Sequence, residues 1–169
     1  MSLAIVPGSF DPMTMGHLDL VMKALKRYDE VVVAVMINSA KRYLFDMETR
    51  VEIAKRTVAH LPQVRVVSEK GMLIDLFDKL GADAVCKGWR NQEDYAYEVR
   101  MADWNRDHNP NFRTELICSR GEFETLSSTD VRKKLERGEI PQGFVHPNAL
   151  ELVNRKLNFG GDEKRHEPI

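Results

Sequence analysis

Cysteine is scarce in this chain: Cys86 and Cys118 are the two present, each inside an apolar stretch that reads as strand. That fits small buried thiols of a reducing compartment better than a disulfide framework, and both are expected to be buried. Long apolar runs are also missing. None approaches the roughly 20 residues that cross a bilayer. The N-terminus lacks the basic-then-apolar order of an export signal, so a cytoplasmic protein with no membrane partner is expected. No charge of one sign dominates: 25 Lys plus Arg against 26 Asp plus Glu leave a formal net charge of −1. That excludes a global basic field for nucleic acid, and any anion site must be local. Repeats and low-complexity linkers are absent as well.

The chemistry-bearing patterns that are lacking narrow the field further. No Cys/His cluster suggests zinc, and no metal-ligating residues are assigned. No carboxylate pair has the spacing of a hydrolytic acid and base, and there is no serine or cysteine elbow for a covalent intermediate. The first loop fails both the dinucleotide-binding and Walker glycine patterns. Transfer between phosphates, driven by charge and position, is what these absences leave.

What is present is alternation. With 169 residues and 43% hydrophobic content the chain closes one core; residues 1–158 are expected as a single domain and 159–169 as a disordered polar tail. Strands are expected at Leu3–Val6, Glu30–Ile37, Val64–Val67, Ala84–Lys87 and Thr114–Cys118. Between and after them lie helical patterns: Leu18, Val21, Met22 and Leu25; Asp46 to about His60; Met72–Leu80, closed by Gly81; Glu93 to about His108; one opening at Ser127–Asp130; and Pro147–Leu157. Strand–helix alternation implies an α/β fold, a doubly wound five-stranded parallel sheet. Ligands of such sheets bind beyond the carboxyl ends of the strands, near the switch in strand order.

The richest stretch follows the first strand, where Pro7–Gly8–Ser9–Phe10–Asp11–Pro12 leads through Thr14, Gly16 and His17 into a helix. Gly8 and Gly16 allow close approach of backbone amides, and a helix start attracts anions. His17 can add a proton-bearing nitrogen, although a histidine there can also be a simple cap or surface residue. Lys41 and Arg42 follow the second strand, as anion contacts or as a solvated pair. Lys87, Gly88 and Arg90 follow the fourth, two cations for two phosphates. Trp89 either covers the core edge or lies beside a base. Tyr95 and Tyr97 are expected in the core, and Glu98 remains open between surface and site. Ser127, Ser128 and Thr129 open a second anion-ready helix start facing the first, though capping needs only one hydroxyl.

Two of these stretches, Pro7 to His17 and Leu126–Ser127–Ser128–Thr129–Asp130–Val131–Arg132, resemble the two signatures of the nucleotidyltransferase superfamily. The segment Lys87 to Glu98, with its Asp94–Tyr95–Ala96–Tyr97–Glu98 ending, is similar to that of the phosphopantetheine adenylyltransferases. The resemblance spans roughly residues 3–157. It implies a Rossmann-like nucleotidyltransferase fold and transfer of AMP from ATP to 4'-phosphopantetheine, giving dephospho-coenzyme A and pyrophosphate, the penultimate step of coenzyme A synthesis. It places Ser9 at a threonine that contacts both substrates and Phe10 at a backbone contact to the nucleotide. His17 would bind ATP and stabilise the transition state. Lys41, Leu73 and Lys87 fall on phosphopantetheine positions. Gly88, Trp89, Arg90, Glu98, Phe123, Glu124, Thr125, Leu126, Ser127, Ser128 and Thr129 fall on ATP positions. Mg2+ on the ATP oxygens, a homohexamer and feedback by coenzyme A are further implications.

The chain departs from the family pattern in places. Lys87 replaces an arginine, losing a two-pronged hydrogen bond while keeping the charge. Trp89 replaces a smaller aliphatic residue, and Met15 stands where asparagine is common. The rival readings are a nucleotidyltransferase acting on nicotinamide mononucleotide, one acting on glycerol phosphate with CTP, and a non-catalytic nucleotide-binding regulator. The transfer implied by the resemblance requires no general base, because its phosphate acceptor is already ionised at neutral pH.

Overall fold

The computed structural model describes residues 1–119, 121 and 126–164. Five strands alternate with helices: β1 (Leu3–Gly8), α1 (Met15–Leu25), β2 (Glu30–Met36), α2 (Met47–Thr57), β3 (Val64–Glu69), α3 (Leu73–Leu80), β4 (Ala84–Trp89), α4 (Gln92–His108) and β5 (Thr114–Cys118), then α5 (Ser128–Glu136) and α6 (Pro147–Lys164). All strand pairs are parallel, in the order β3-β2-β1-β4-β5. The order reverses between β1 and β4, where a doubly wound sheet opens its binding crevice.

The central strands are continuous apolar runs because both their faces are covered. On β1, Ala4 and Val6 point into a large cluster with Leu18 and Val21 of α1, Ile53 of α2, Val131 of α5 and Leu152 of α6. Ile5, one residue out of phase, points into a smaller cluster with Leu76 and Phe77 of α3, Val85 and Phe112. Each such buried valine or leucine contributes roughly 1.5–3 kcal/mol, so the two layers clamp the sheet and make its carboxyl rim a rigid platform. Gly81, at φ 62°, closes α3 in the left-handed conformation that glycine adopts without a Cβ penalty. No described helix is long and apolar enough to cross a membrane.

Four expectations are corrected. Tyr95 and Tyr97 are exposed, at 44% and 53%, and not in the core. The reason is that α4 lies over the β4–β5 end of the sheet and, among its described residues, buries Asn105 alone. Cys86 is buried, but Cys118, the last residue of edge strand β5, is only half-buried. Burial and neighbouring Glu115 push the Cys86 thiol up to about 12, so it stays protonated. Finally, α6 continues past Leu157 to Lys164, so the first residues of the expected tail carry helical backbone. Its early turns are anchored by buried Ala149, Leu152 and Val153, and hydrogen bonding along the helix axis carries the backbone on through Gly160 and Gly161.

Candidate active site

Beyond the carboxyl ends of β1 and β4 lies an open cleft of about 360 Å³. Into it come Ser9, Phe10, Gly16 and His17 from the first crossover, and Lys41 from the segment after β2. Lys87, Gly88 and Arg90 come from β4 and its loop, and Ser127, Ser128, Thr129 and Arg132 from α5.

His17 is held before any ligand arrives. Thr14 caps α1, accepting the His17 backbone N–H on its hydroxyl, and the Thr14 backbone N–H donates to His17 Nδ1 at 3.0 Å. This reciprocal box satisfies two helix-start donors and fixes the ring. The Phe10 ring meets the imidazole edge-on, centroids 4.9 Å apart. With Nδ1 accepting, the neutral ring carries its proton on Nε2, the nitrogen left for the cleft. Burial first, and then the charges of Lys87 and Arg90, lower the His17 pKa from 6.5 to about 4. At neutral pH His17 is therefore an uncharged, oriented N–H donor in a positive field.

The cations around it are also oriented. Arg90 Nε lies 3.1 Å from Asp94 Oδ2, and that oxygen also accepts the Arg90 backbone N–H. Lys87 Nζ lies 3.5 Å from Glu98 Oε1. Asp11 is buried, its two carboxylate oxygens accepting the Leu44 and Phe45 backbone N–H groups. All three carboxylates lining the cleft are thus engaged, and among the described residues no group of three or more His, Cys, Asp or Glu is placed to hold a metal ion.

The α5 hydroxyls have structural partners. Ser127 caps the helix, accepting from the Asp130 N–H; Ser128 donates to the Pro12 carbonyl at 2.9 Å; and Thr129 accepts from Arg132. What α5 offers the cleft is therefore chiefly its N-terminal dipole and backbone. Gly8 has a packing role beyond flexibility: a Cβ there would come 3.2 Å from the Phe10 ring.

Most of the residues expected from sequence converge here, with clear exceptions. Arg42 and Trp89 do not line the cleft; the Trp89 ring packs edge-on against Tyr95, centroids 5.0 Å apart. Leu73 lines a separate cavity of about 80 Å³ with Val85, Tyr97, Met101 and Asn105, and Lys87 and Glu98 form the wall the two share. Phe123, Glu124 and Thr125 lie outside the described residues. Several lining residues went unassigned in sequence, among them Asp11, Leu20, Asp94, Ser119 and Arg132. The i,i+4 spacing of Arg90 and Asp94 was a usable signal; Arg132 sat inside a quoted motif, and Ser119 had no local signal.

The cleft gathers cations and helix starts at the switch point, and the family model of the cytidylyltransferase-like class matches residues 5–134 of the chain. Curated relatives are more specific. The phosphopantetheine adenylyltransferase of Symbiobacterium thermophilum is 40% identical over 93% of this chain and 97% of its own length. That of Clostridium kluyveri is 40% identical over 94% and 96%, and one from Clostridium botulinum 35% over 92% and 98%. The chain belongs to the phosphopantetheine adenylyltransferase family. The fold is shared more widely: a solved structure of a candidate nicotinate-nucleotide adenylyltransferase from Vibrio parahaemolyticus superposes with a TM-score of 0.72, covering 93% of this chain and 94% of that one at 19% identity.

Proposed function

We propose that this chain moves the adenylyl group of ATP onto the phosphate of 4'-phosphopantetheine, forming dephospho-coenzyme A and pyrophosphate in the coenzyme A pathway. The observation that carries the reading is the preoriented neutral imidazole of His17 in a cleft with Lys41, Lys87 and Arg90, in a chain of this family. An acceptor phosphate oxygen attacks the α-phosphorus of ATP, and the bond from that phosphorus to the β-bridging oxygen breaks. The attacking oxygen is already ionised, so no proton need be removed. Charge grows on the α-phosphoryl oxygens and on the departing pyrophosphate. His17 Nε2–H, the fixed cations and the α5 start stabilise it where it grows.

Magnesium fits this site as a passenger on the nucleotide, because Asp11, Asp94 and Glu98 are already engaged. Bound through triphosphate oxygens it would neutralise part of their charge. The family resemblance also supports a cytoplasmic homohexamer with feedback by coenzyme A, and the exposed Tyr95, Tyr97 and Trp104 of α4 offer apolar surface for self-association.

The test is pyrophosphate release with ATP or CTP against 4'-phosphopantetheine, nicotinamide mononucleotide and glycerol phosphate. Release with ATP and 4'-phosphopantetheine alone is expected. Release with another pair would reassign the acceptor, and silence with every pair would point to a regulator.

A further inference from the structure

Arg50 is the largest fully buried side chain among the described residues, at 2% exposure, and no described carboxylate lies within ion-pair distance of it. Asp46, the cap of the same helix, feels this charge without a direct ion pair, and burying a cation is costly, so the guanidinium needs hydrogen-bond partners as well. They are backbone carbonyls on three segments. Nη1 donates to Ser9 O at 2.8 Å and to Met36 O at 3.2 Å, Nε donates to Phe45 O at 3.2 Å, and the guanidinium lies over the Tyr43 ring at 3.9 Å. One side chain of α2 thus ties the loop after β1 to the end of β2 and to the segment that follows it.

The Ser9 contact has a directional consequence. Across a trans peptide the carbonyl and the following N–H point in opposite directions. Ser9 and Phe10 line the cleft and Arg50 does not, so a Ser9 carbonyl held toward Arg50 leaves the Phe10 N–H on the cleft side. No described hydrogen bond takes that N–H. Phe10 also sits at φ 48°, a sparsely populated conformation for a bulky residue that persists only where the surroundings impose it.

We propose that Arg50 is a positioning residue for nucleotidyl transfer: its grip on the Ser9 carbonyl presents the Phe10 N–H as a fixed donor to the nucleotide phosphates. The inference rests on the functional reading above and extends it to a residue that does not line the cleft. Arg132, donating to Asp11 O at 2.9 Å, and Ser128, donating to Pro12 O, hold the far half of the same loop.

Arg50→Lys keeps the charge and loses the fork. It is expected to lower kcat about 100-fold, the scale of a small misplacement of a catalytic group, while the KM for 4'-phosphopantetheine stays within about 3-fold. Thr57→Val removes a buried hydroxyl bond to Ile53 O in the same helix and serves as the control, lowering Tm without that loss of kcat. A kcat for Arg50→Lys within about 3-fold of the parent, on the same scale, would overturn the proposal. The parent chain supplies a second readout that needs no variant to fold. The Phe10 amide resonance in a 1H–15N spectrum should shift on addition of ATP or inorganic pyrophosphate, and an unmoved resonance also overturns the proposal. A parent chain whose Phe10 amide responds to ATP but which makes no dephospho-coenzyme A would sink the functional reading alone.

Discussion

His17→Ala should do two separable things. The first is kinetic. Loss of one preorganised donor to a developing oxyanion costs about 2.7–4 kcal/mol, or about 100- to 1,000-fold in kcat, with a much smaller change in ATP affinity. The second is a pH-dependent change in stability that reverses sign. The folded value of about 4 against 6.5 unfolded means that between those pH values the unfolded chain binds a proton which the fold refuses. The parent protein therefore loses stability as pH falls through that window and is relieved as pH rises above it. For this shift the penalty is about 2 kcal/mol at pH 5 and nearly nothing at pH 7, an upper bound because the ring keeps some contact with solvent. Alanine removes the penalty but also removes the acceptor for the Thr14 N–H, a loss of about 1 kcal/mol. The variant should thus be less stable than the parent by about 1 kcal/mol at pH 7 and equal or more stable at pH 5. Urea unfolding at the two pH values reads the sign, and pyrophosphate release reads the turnover. An equal loss of stability at both pH values would refute the neutral-ring argument, and unchanged turnover would refute the role in transfer.

Two other perturbations probe the neighbouring structure. Lys87→Ala leaves Glu98, whose side chain is 13% exposed, facing the cleft without its partner. The KM for 4'-phosphopantetheine should rise about 10- to 100-fold, the range for a hydrogen bond to a charged group, and adding Glu98→Gln should recover part of it in steady-state kinetics. Gly81→Ala forces a side chain into φ 62°, with no heavy atom within 4 Å of the added Cβ. Its cost is conformational alone, about 1–2 kcal/mol, visible as a lower Tm with unchanged kcat.

The sequence alone determined what local periodicity and punctuation carry. Buried parallel strands announce themselves as unbroken apolar runs because both faces are covered, so β2 was placed to within a residue at each end. Gly81 announced a helix end because the left-handed turn selects glycine. The alternation of these elements settled the parallel sheet and, through it, the rim on which Ser9, His17, Lys41, Arg90 and Ser127 meet. The tertiary structure decided what those residues are free to do. Ser128 is 116 residues from the Pro12 carbonyl that takes its hydroxyl, and Arg50 is 41 from the Ser9 carbonyl it holds. Trp89 and Tyr95 pair outside the cleft because α4 covers little of the sheet, and Leu73 lines a cavity of its own. Helical and strand periods report which face a residue occupies within its own element. Which distant backbone group meets that face, and whether water is still there, depends on how the elements pack, and it is this packing that leaves His17 neutral, oriented and able to donate.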